Sequence, residues 1–205
     1  MSHCHDEHCD HDHDDLPGSG DQFLLYSRID RDNVRCLNEI EPDSGKKVIR
    51  PWNERMDNTN YLESDADEQL LIFIPFTGIV KLRTICLRTT VGEQAPSKMK
   101  VFINRDDMDF DAAESYVPTQ EFDLVQHDDV AEYGTRVAKF NNVRNLTLYF
   151  PENFGGDTSI IRYLGFKGEW QEMKRDPIIT IYEASANPAD HKIPGSENKM
   201  DHSIQ

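Results

Sequence analysis

Lysine and arginine are scarce in this chain where a nucleic acid or an anionic membrane would need them. Its 205 residues hold 22 basic side chains against 38 acidic ones, for a formal net charge of −16. The imbalance is local. Residues 1–15 carry six acids and no lysine or arginine, and residues 105–132 carry ten acids against Arg105 alone. These two stretches contribute −6 and −9, leaving the remainder nearly neutral at −1. Such a surface repels a phosphate backbone, whose recognition depends on clustered cations, so nucleic acid and membrane are not expected partners. Each acidic block is either a solvated stretch that keeps the chain soluble or a docking surface for a basic partner.

Long apolar runs are also missing. The longest, Leu70–Phe76, is far short of the roughly 20 residues that cross a bilayer. The opening Met-Ser-His-Cys-His has neither a basic n-region nor an apolar h-region, Ser2 stands where myristoylation needs glycine, and Asp201–Gln205 matches no lipidation or retention signal. The expectation is a monomeric cytoplasmic protein, small enough at 23.7 kDa to enter the nucleus as well.

The four cysteines, Cys4, Cys9, Cys36 and Cys86, form no Cys-x-x-Cys pair, which excludes a thioredoxin-type redox site. Cys36 and Cys86 lie among apolar residues and read as reduced core thiols. Nucleophile elbows, phosphate-binding loops, dinucleotide fingerprints and zinc-protease helices do not occur. Between residues 22 and 185 the sole histidine is His127, set among Gln126, Asp128 and Asp129 with no nucleophile nearby. No carboxylate is embedded in an apolar strand where its pKa would rise. The chain is therefore expected not to be an enzyme.

What the sequence does contain begins with a tail. Residues 1–21 have almost no large apolar side chains, and residues 186–205 have no aromatic. Neither can offset its ordering entropy, so both read as disordered tails flanking one domain at 22–185. The N-terminal tail holds His3, Cys4, His5, His8, Cys9, His11 and His13, ligands suited to zinc, copper or nickel. Their spacing fits no closed site, so the expectation is adventitious metal binding, with no cofactor required for folding.

Inside the domain, Val34, Leu37 and Ile40 recur at three-residue spacing, suggesting a short helix within Phe23–Ile40, with Asp30 as a cap. From Leu70 onward, short runs rich in β-branched and aromatic residues follow one another. They are Leu70–Phe76, Ile79–Arg88, Met99–Ile103, Phe122–Val125, Val137–Phe140, Leu146–Phe150, Ile160–Phe166 and Ile178–Tyr182. The apolar parity slips between Leu82 and Ile85, the mark of a bulge or of burial on both faces. About eight strands with long connections predict an all-β, two-sheet β-sandwich or jelly roll. The acidic stretch Arg105–Pro118 is expected to be a loop at one end, and Asn153–Thr158 a tight turn with positive φ at a glycine.

Two polar stretches are candidate partner-binding sites. Arg50, Trp52 and Arg55 cluster around Pro51, and tryptophan and arginine are common interface anchors. The alternative is a tryptophan covering an open end of the sandwich, with the arginines paired to nearby acids. Asp65 and Asp67, before the Leu70 strand, hold a turn through backbone amides or meet a partner. Asp106, Asp107 and Asp109 are the corresponding candidates in the acidic loop.

Arg50-Pro51-Trp52, Glu63-Ser64-Asp65-x-Asp67-Glu68-x-Leu70-Leu71 and Ile74-Pro75-Phe76-Thr77-Gly78-x-Val80-Lys81-Leu82 together resemble the PITH domain. That domain is the proteasome-interacting module found at the C-terminus of certain thioredoxin-like proteins. Phe140-x-x-Val143-x-x-Leu146, Asn153-Phe154-Gly155-x-Asp157-Thr158 and Tyr163-x-Gly165-x-x-Gly168 extend the resemblance across 22–185. The His-rich start and the ending Tyr182–His191 are similar to the stand-alone branch of that family, not to the thioredoxin fusion. The resemblance implies a galactose-binding-like jelly roll and association with the 26S proteasome or another large protein assembly. The competing functional readings are a metal-buffering or metal-delivery protein acting through the tail, and a small-ligand or sugar-binding module.

Overall fold

Two of the expected strands are one. In the computed structural model, which describes residues 23–173, the apolar run at Leu70 and the alternating stretch after it form a single 20-residue strand, β3 (Leu70–Thr89). Its two halves have different neighbours. Leu70–Pro75 lies antiparallel to β7 (Val143–Phe150), from Leu70↔Phe150 to Pro75↔Asn145, with β1 (Arg35–Leu37) on its other side. Ile79–Thr89 instead pairs with β8 (Ile160–Gln171), and Thr84–Leu87 with β6 (Ala131–Gly134).

The register breaks between Pro75 and Val80. Proline has no N–H for a ladder, so a break is where a central strand can hold one. A second irregularity, between Leu82 and Thr84, is the parity slip that the sequence carries. A strand that changes partners at such a corner folds one continuous sheet into two layers. The first layer is completed by β4 (Lys98–Ile103), paired to β7, and β5 (Gln120–Asp123), paired to β4. The second is completed by β2 (Leu62–Glu63), paired to β8.

Ile72, Ile74, Leu146, Leu148, Phe150 and Val101 from one layer meet Leu82, Ile85, Ile161, Leu164 and Phe166 from the other in one core. Burying each such side chain contributes about 1.5–3 kcal/mol, ample for a fold with no disulfide among the described residues. The outer face of the first layer is not left to solvent. The acidic stretch expected to be an open loop contains a helix, α2 (Phe110–Ser115, after the four-residue α1 at Ser44–Lys47), which lays Phe110 and Ala113 over Leu71, Phe102 and Tyr149. Asp109 caps it, accepting a hydrogen bond from the Ala112 amide. At six residues the helix is too short to show a period, yet its Ala-Ala pair and apolar i, i+3 positions are what such a lid requires.

Other expectations need correcting. Phe23–Ile40 is not a helix but 3₁₀ turns at Tyr26–Arg28 and Arg31–Asn33 followed by β1. Val34 is buried while Leu37 and Ile40 are exposed, so the three do not share a helical face; Leu37 pairs with Leu71 of β3, and the Ile40 amide donates to the Glu63 carbonyl. Asp30 flanks the second turn without a side-chain cap bond. Val137–Phe140 is a turn, closed by Phe140 N–H to the Val137 carbonyl, and the strand in this region is β6. Phe140 is nonetheless fully buried, so its apolar signal was real and its backbone state was not. Gly155 takes φ 118°, as the tight turn requires. Both tails, the metal ligands His3–His13 and the strand expected at Ile178–Tyr182 lie outside the described residues, as do the outer margins of the 22–185 domain.

Candidate functional site

The segment from Val48 to Asn60 runs along the free side of β8. The Leu164 amide donates to the Val48 carbonyl, and Pro51, at φ −58° and ψ 153°, turns the chain outward into a 3₁₀ turn at Trp52–Glu54. Arg50 is drawn inward. Only 6% exposed, it donates Nη1 to Asp57 Oδ2 at 3.0 Å and Nη2 to the carbonyls of Asp57 and Arg162 at 3.0 and 2.7 Å. Asp57 also receives the Thr59 hydroxyl and amide, and these bonds, with Arg50 beside them, hold its carboxyl below the usual range. Arg50 is thus the internal tie of the loop rather than a contact residue. The alternative that pairs both arginines with nearby acids describes Arg50, whereas Arg55 has no acidic partner among the described residues and turns to Trp52 instead.

The Arg50 tie fixes Trp52, which stays half-buried on the outer face of the second layer. Its ring meets Tyr163 edge-on at 6.3 Å and 72°. Arg55 lies over it at 4.4 Å and Lys167 at 4.7 Å, and Arg55 Nη1 also donates to the Trp52 carbonyl. Such cation–π contacts hold a half-exposed indole in one orientation. Lys167 in turn pairs with Glu132 of β6 at 2.6 Å. Below the ring lie Tyr163, whose phenol burial pushes up, and Cys86, whose thiol burial and the nearby Glu132 push up to about 12. Both stay protonated, and Cys86 is an inert core thiol as expected.

The outer face also carries a cleft of about 520 Å³ lined by Asn58, Arg88, Thr90, Val91, Asp128 and Arg162. Arg88 sits in β3 opposite Tyr163, so the cleft and the tryptophan share one face. Sequence reasoning missed Arg88, Arg162 and Lys167. One signal was available, an arginine closing the apolar run Ile85-Cys86-Leu87. Placing it beside Asn58 and Asp128, however, needs the register of three strands.

The acidic candidates gather elsewhere, around Tyr149. Asp67 Oδ1 accepts from the Gln69 amide and from Asn38 Nδ2, the turn-holding role foreseen for it. Gln69 Oε1 accepts the Tyr149 hydroxyl at 2.8 Å, and Glu114 of α2 lies 3.4 Å from the same oxygen. Burial first, then Glu114, Asp67 and Glu68, push this phenol up to about 12. Asp106 accepts from Asn145 Nδ2 while its carbonyl accepts from Arg35, and Asp109 caps α2. Among the described residues, the carboxylates of Asp65 and Asp107 make no hydrogen bond and face solvent. The structure therefore separates the candidates into a cationic, aromatic face at Trp52 and Arg55 and an acidic rim at Asp65 and Asp107. Arg50, Asp67, Asp106 and Asp109 act as internal struts.

No group of three potential metal ligands converges among the described residues. His127 is exposed, and its Nδ1 accepts from the Asp129 amide.

Comparison with known proteins adds a family and a fold. The family model of the PITH domain matches residues 15–186. PITH domain-containing protein 1 of Mus musculus is 44% identical over 175 residues, covering 83% of this chain and 82% of that protein. PITH domain-containing protein 1 of Dictyostelium discoideum is 36% identical over 196 residues, covering 94% of each. Among solved structures, a CBM32 domain of a family 31 glycoside hydrolase from Clostridium perfringens superimposes with a TM-score of 0.51 at 16% identity, over 73% of this chain and 97% of that one. The family 32 CBM from C. perfringens NanJ, in complex with galactose, does so with a TM-score of 0.51 at 9% identity, over 70% and 97%. At these identities the likeness is one of fold, a galactose-binding-like jelly roll.

Proposed function

Because the chain belongs to the PITH domain family, we propose that it is a non-catalytic intracellular adaptor that docks through its folded domain on the regulatory particle of the 26S proteasome. The observation that carries this reading is Trp52. A large aromatic seated edge-on against Tyr163, with Arg55 and Lys167 over its ring, is held half-exposed and pre-organised at little entropic cost, as an interface anchor should be. The acidic rim supplies a second contact, attracting basic surface on the partner. Those charges are exposed and screened over about 8 Å at physiological salt, so docking should weaken as salt rises. On this reading the protein is a monomer of the cytoplasm and nucleus, and it needs no cofactor.

Sugar binding is the second reading, favoured by the galactose-bound neighbour of similar fold. Against it, Trp52 already carries two cations over its ring, where a sugar would need a free aromatic face.

Native affinity purification of the tagged full chain tests the proposal: proteasome subunits should co-purify and be lost progressively with added salt. Deleting residues 1–21 should leave that recovery intact while removing zinc, copper and nickel binding. If the truncated protein stays folded but no longer recovers proteasome, the tail is the functional element and the metal-handling reading takes precedence.

A further inference from the structure

Arg88 is a buried cation whose donors are only partly used. The side chain is 4% exposed, and a guanidinium offers five N–H donors. Nε donates to the Asp128 carbonyl at 2.8 Å and Nη1 to Asn58 Oδ1 at 2.9 Å. Among the described residues Nη2 has only the Asp128 carboxylate, at 3.6 Å, beyond hydrogen-bond reach. That carboxylate belongs to a side chain 89% exposed. Arg162 lines the same cleft, and among the described residues its guanidinium has no hydrogen bond, ion pair or ring contact. A chain with 38 acids and 22 bases could readily have neutralised both.

We propose that the cleft formed by Arg88, Arg162, Asn58 and Thr90 is a carboxylate-binding site that receives an acidic side chain of a protein partner. The proposal rests on the docking reading above and names the chemistry that Trp52's face would recognise. A planar guanidinium edge presents two parallel donors at the spacing of a carboxylate's oxygens, and a second arginine secures the other side of the anion. Asp128 approaches Arg88 as a weakly held substitute from the chain itself, and the incoming carboxylate displaces it. Because the net charge repels an acidic partner at long range, binding depends on this local fork rather than on steering. The cleft and Trp52 lie on one face, Arg88 being paired with Tyr163 across β3 and β8, so one partner surface can present an acidic residue to the cleft and an apolar one to the tryptophan.

The test uses the full-length protein and three probes: acetylated hexaglutamate, acetylated hexalysine and inorganic phosphate, each followed by NMR. Hexaglutamate should shift the Nε–Hε signals of Arg88 and Arg162 and the side-chain amide of Asn58. Arg162→Gln, chosen because the Arg162 guanidinium makes no bond among the described residues, should weaken that binding about tenfold, the loss expected for a charge-assisted hydrogen bond. Asp128→Asn, which leaves both arginines untouched, should strengthen it by removing the internal competitor. Shifts outside the cleft, or affinities unchanged in both variants, would overturn the proposal. Phosphate binding more tightly than the peptide at the same signals would overturn the carboxylate assignment in favour of a phosphate site. Hexalysine should leave these signals unmoved; if it shifts them equally, the site has no charge selectivity. If hexaglutamate binding fails while proteasome is still recovered, only the cleft is refuted. If it holds while proteasome is not recovered, only the proteasome reading is refuted.

Discussion

Gly165 lies beneath the ring of Tyr163: a Cβ at position 165 would stand 2.4 Å from the phenol oxygen and 2.8 Å from Cζ. The two residues are i and i+2 on β8 and share a face, so the tyrosine can fold down along the strand only because its neighbour lacks a side chain. That flattened ring is the floor on which Trp52 packs edge-on. The Tyr163-x-Gly165 pair thus belongs to the Trp52 face as much as to the core.

Gly165→Ala should lift the Tyr163 ring and unseat Trp52. Overpacking of this kind costs about 1–3 kcal/mol, readable in urea denaturation, with a changed near-ultraviolet spectrum as the ring contact breaks. In a Tyr163→Ala background the same substitution should cost far less, since the atoms it would strike are gone. Equal costs in both backgrounds would show that the two positions are not coupled.

Asp109 and Asp107 differ although both are exposed acids in one loop. Asp109 caps α2 through the Ala112 amide at 2.8 Å, while Asp107 makes no such bond among the described residues. Asp109→Ala should therefore cost about 1 kcal/mol, the usual worth of an N-cap. Asp107→Ala should stay within about 0.5 kcal/mol. Thermal melts of the two variants decide it, and a neutral Asp109→Ala would mean that α2 is held by Phe110 and Ala113 alone.

This contrast marks where the sequence stops being legible. Strand positions with an alternating or unbroken apolar pattern, such as Leu146–Phe150 and Leu70–Phe76, can be read because each depends on its own burial. The continuity of β3 through Pro75 could not be, since a proline followed by Thr77-Gly78 looks like a terminus until a bulge accommodates it. Likewise Trp52 and Arg55 stand out by residue type alone. Whether Arg50 faces inward or outward depends on Asp57 and the Arg162 carbonyl, the latter 112 residues away along the chain. Single residues announce their chemistry; their division into struts and contacts is settled by partners distant in sequence.

Tyr149 makes stability depend on pH at the alkaline end. Its phenol is raised from 10 in the unfolded chain to about 12, first by burial and then by Glu114. The folded state therefore keeps a proton that the unfolded state loses. The contribution is complete below pH 10 and is lost as pH rises from 10 toward 12. Denaturation curves across that window should show a decline that Tyr149→Phe reduces, and Tyr149→Phe should remove one late-ionising phenol from the ultraviolet titration. A wild-type tyrosine count that is complete near pH 10 would refute the assignment.

Trp52 and Arg50 sit two residues apart, but their variants should fail differently. Arg50→Ala strands the Arg162 and Asp57 carbonyls and removes the tie that holds the loop, so it should cost about 1–3 kcal/mol of folding stability. Trp52→Ala removes a half-buried ring that covers Tyr163 but closes no hydrogen-bond network. It should keep a cooperative melt and an unchanged far-ultraviolet spectrum while docking falls by about 2 kcal/mol or more, the scale of an anchor residue. Trp52→Phe, which keeps an aromatic face for Arg55 and Lys167 but loses area and the indole N–H, should fall between. The decisive comparison is recovery of proteasome by each folded variant at one salt concentration. If Trp52→Ala recovers as much as the parent, this face is not the docking surface. The acidic rim at Asp65 and Asp107 then becomes the place to look, with charge reversal there as the corresponding test.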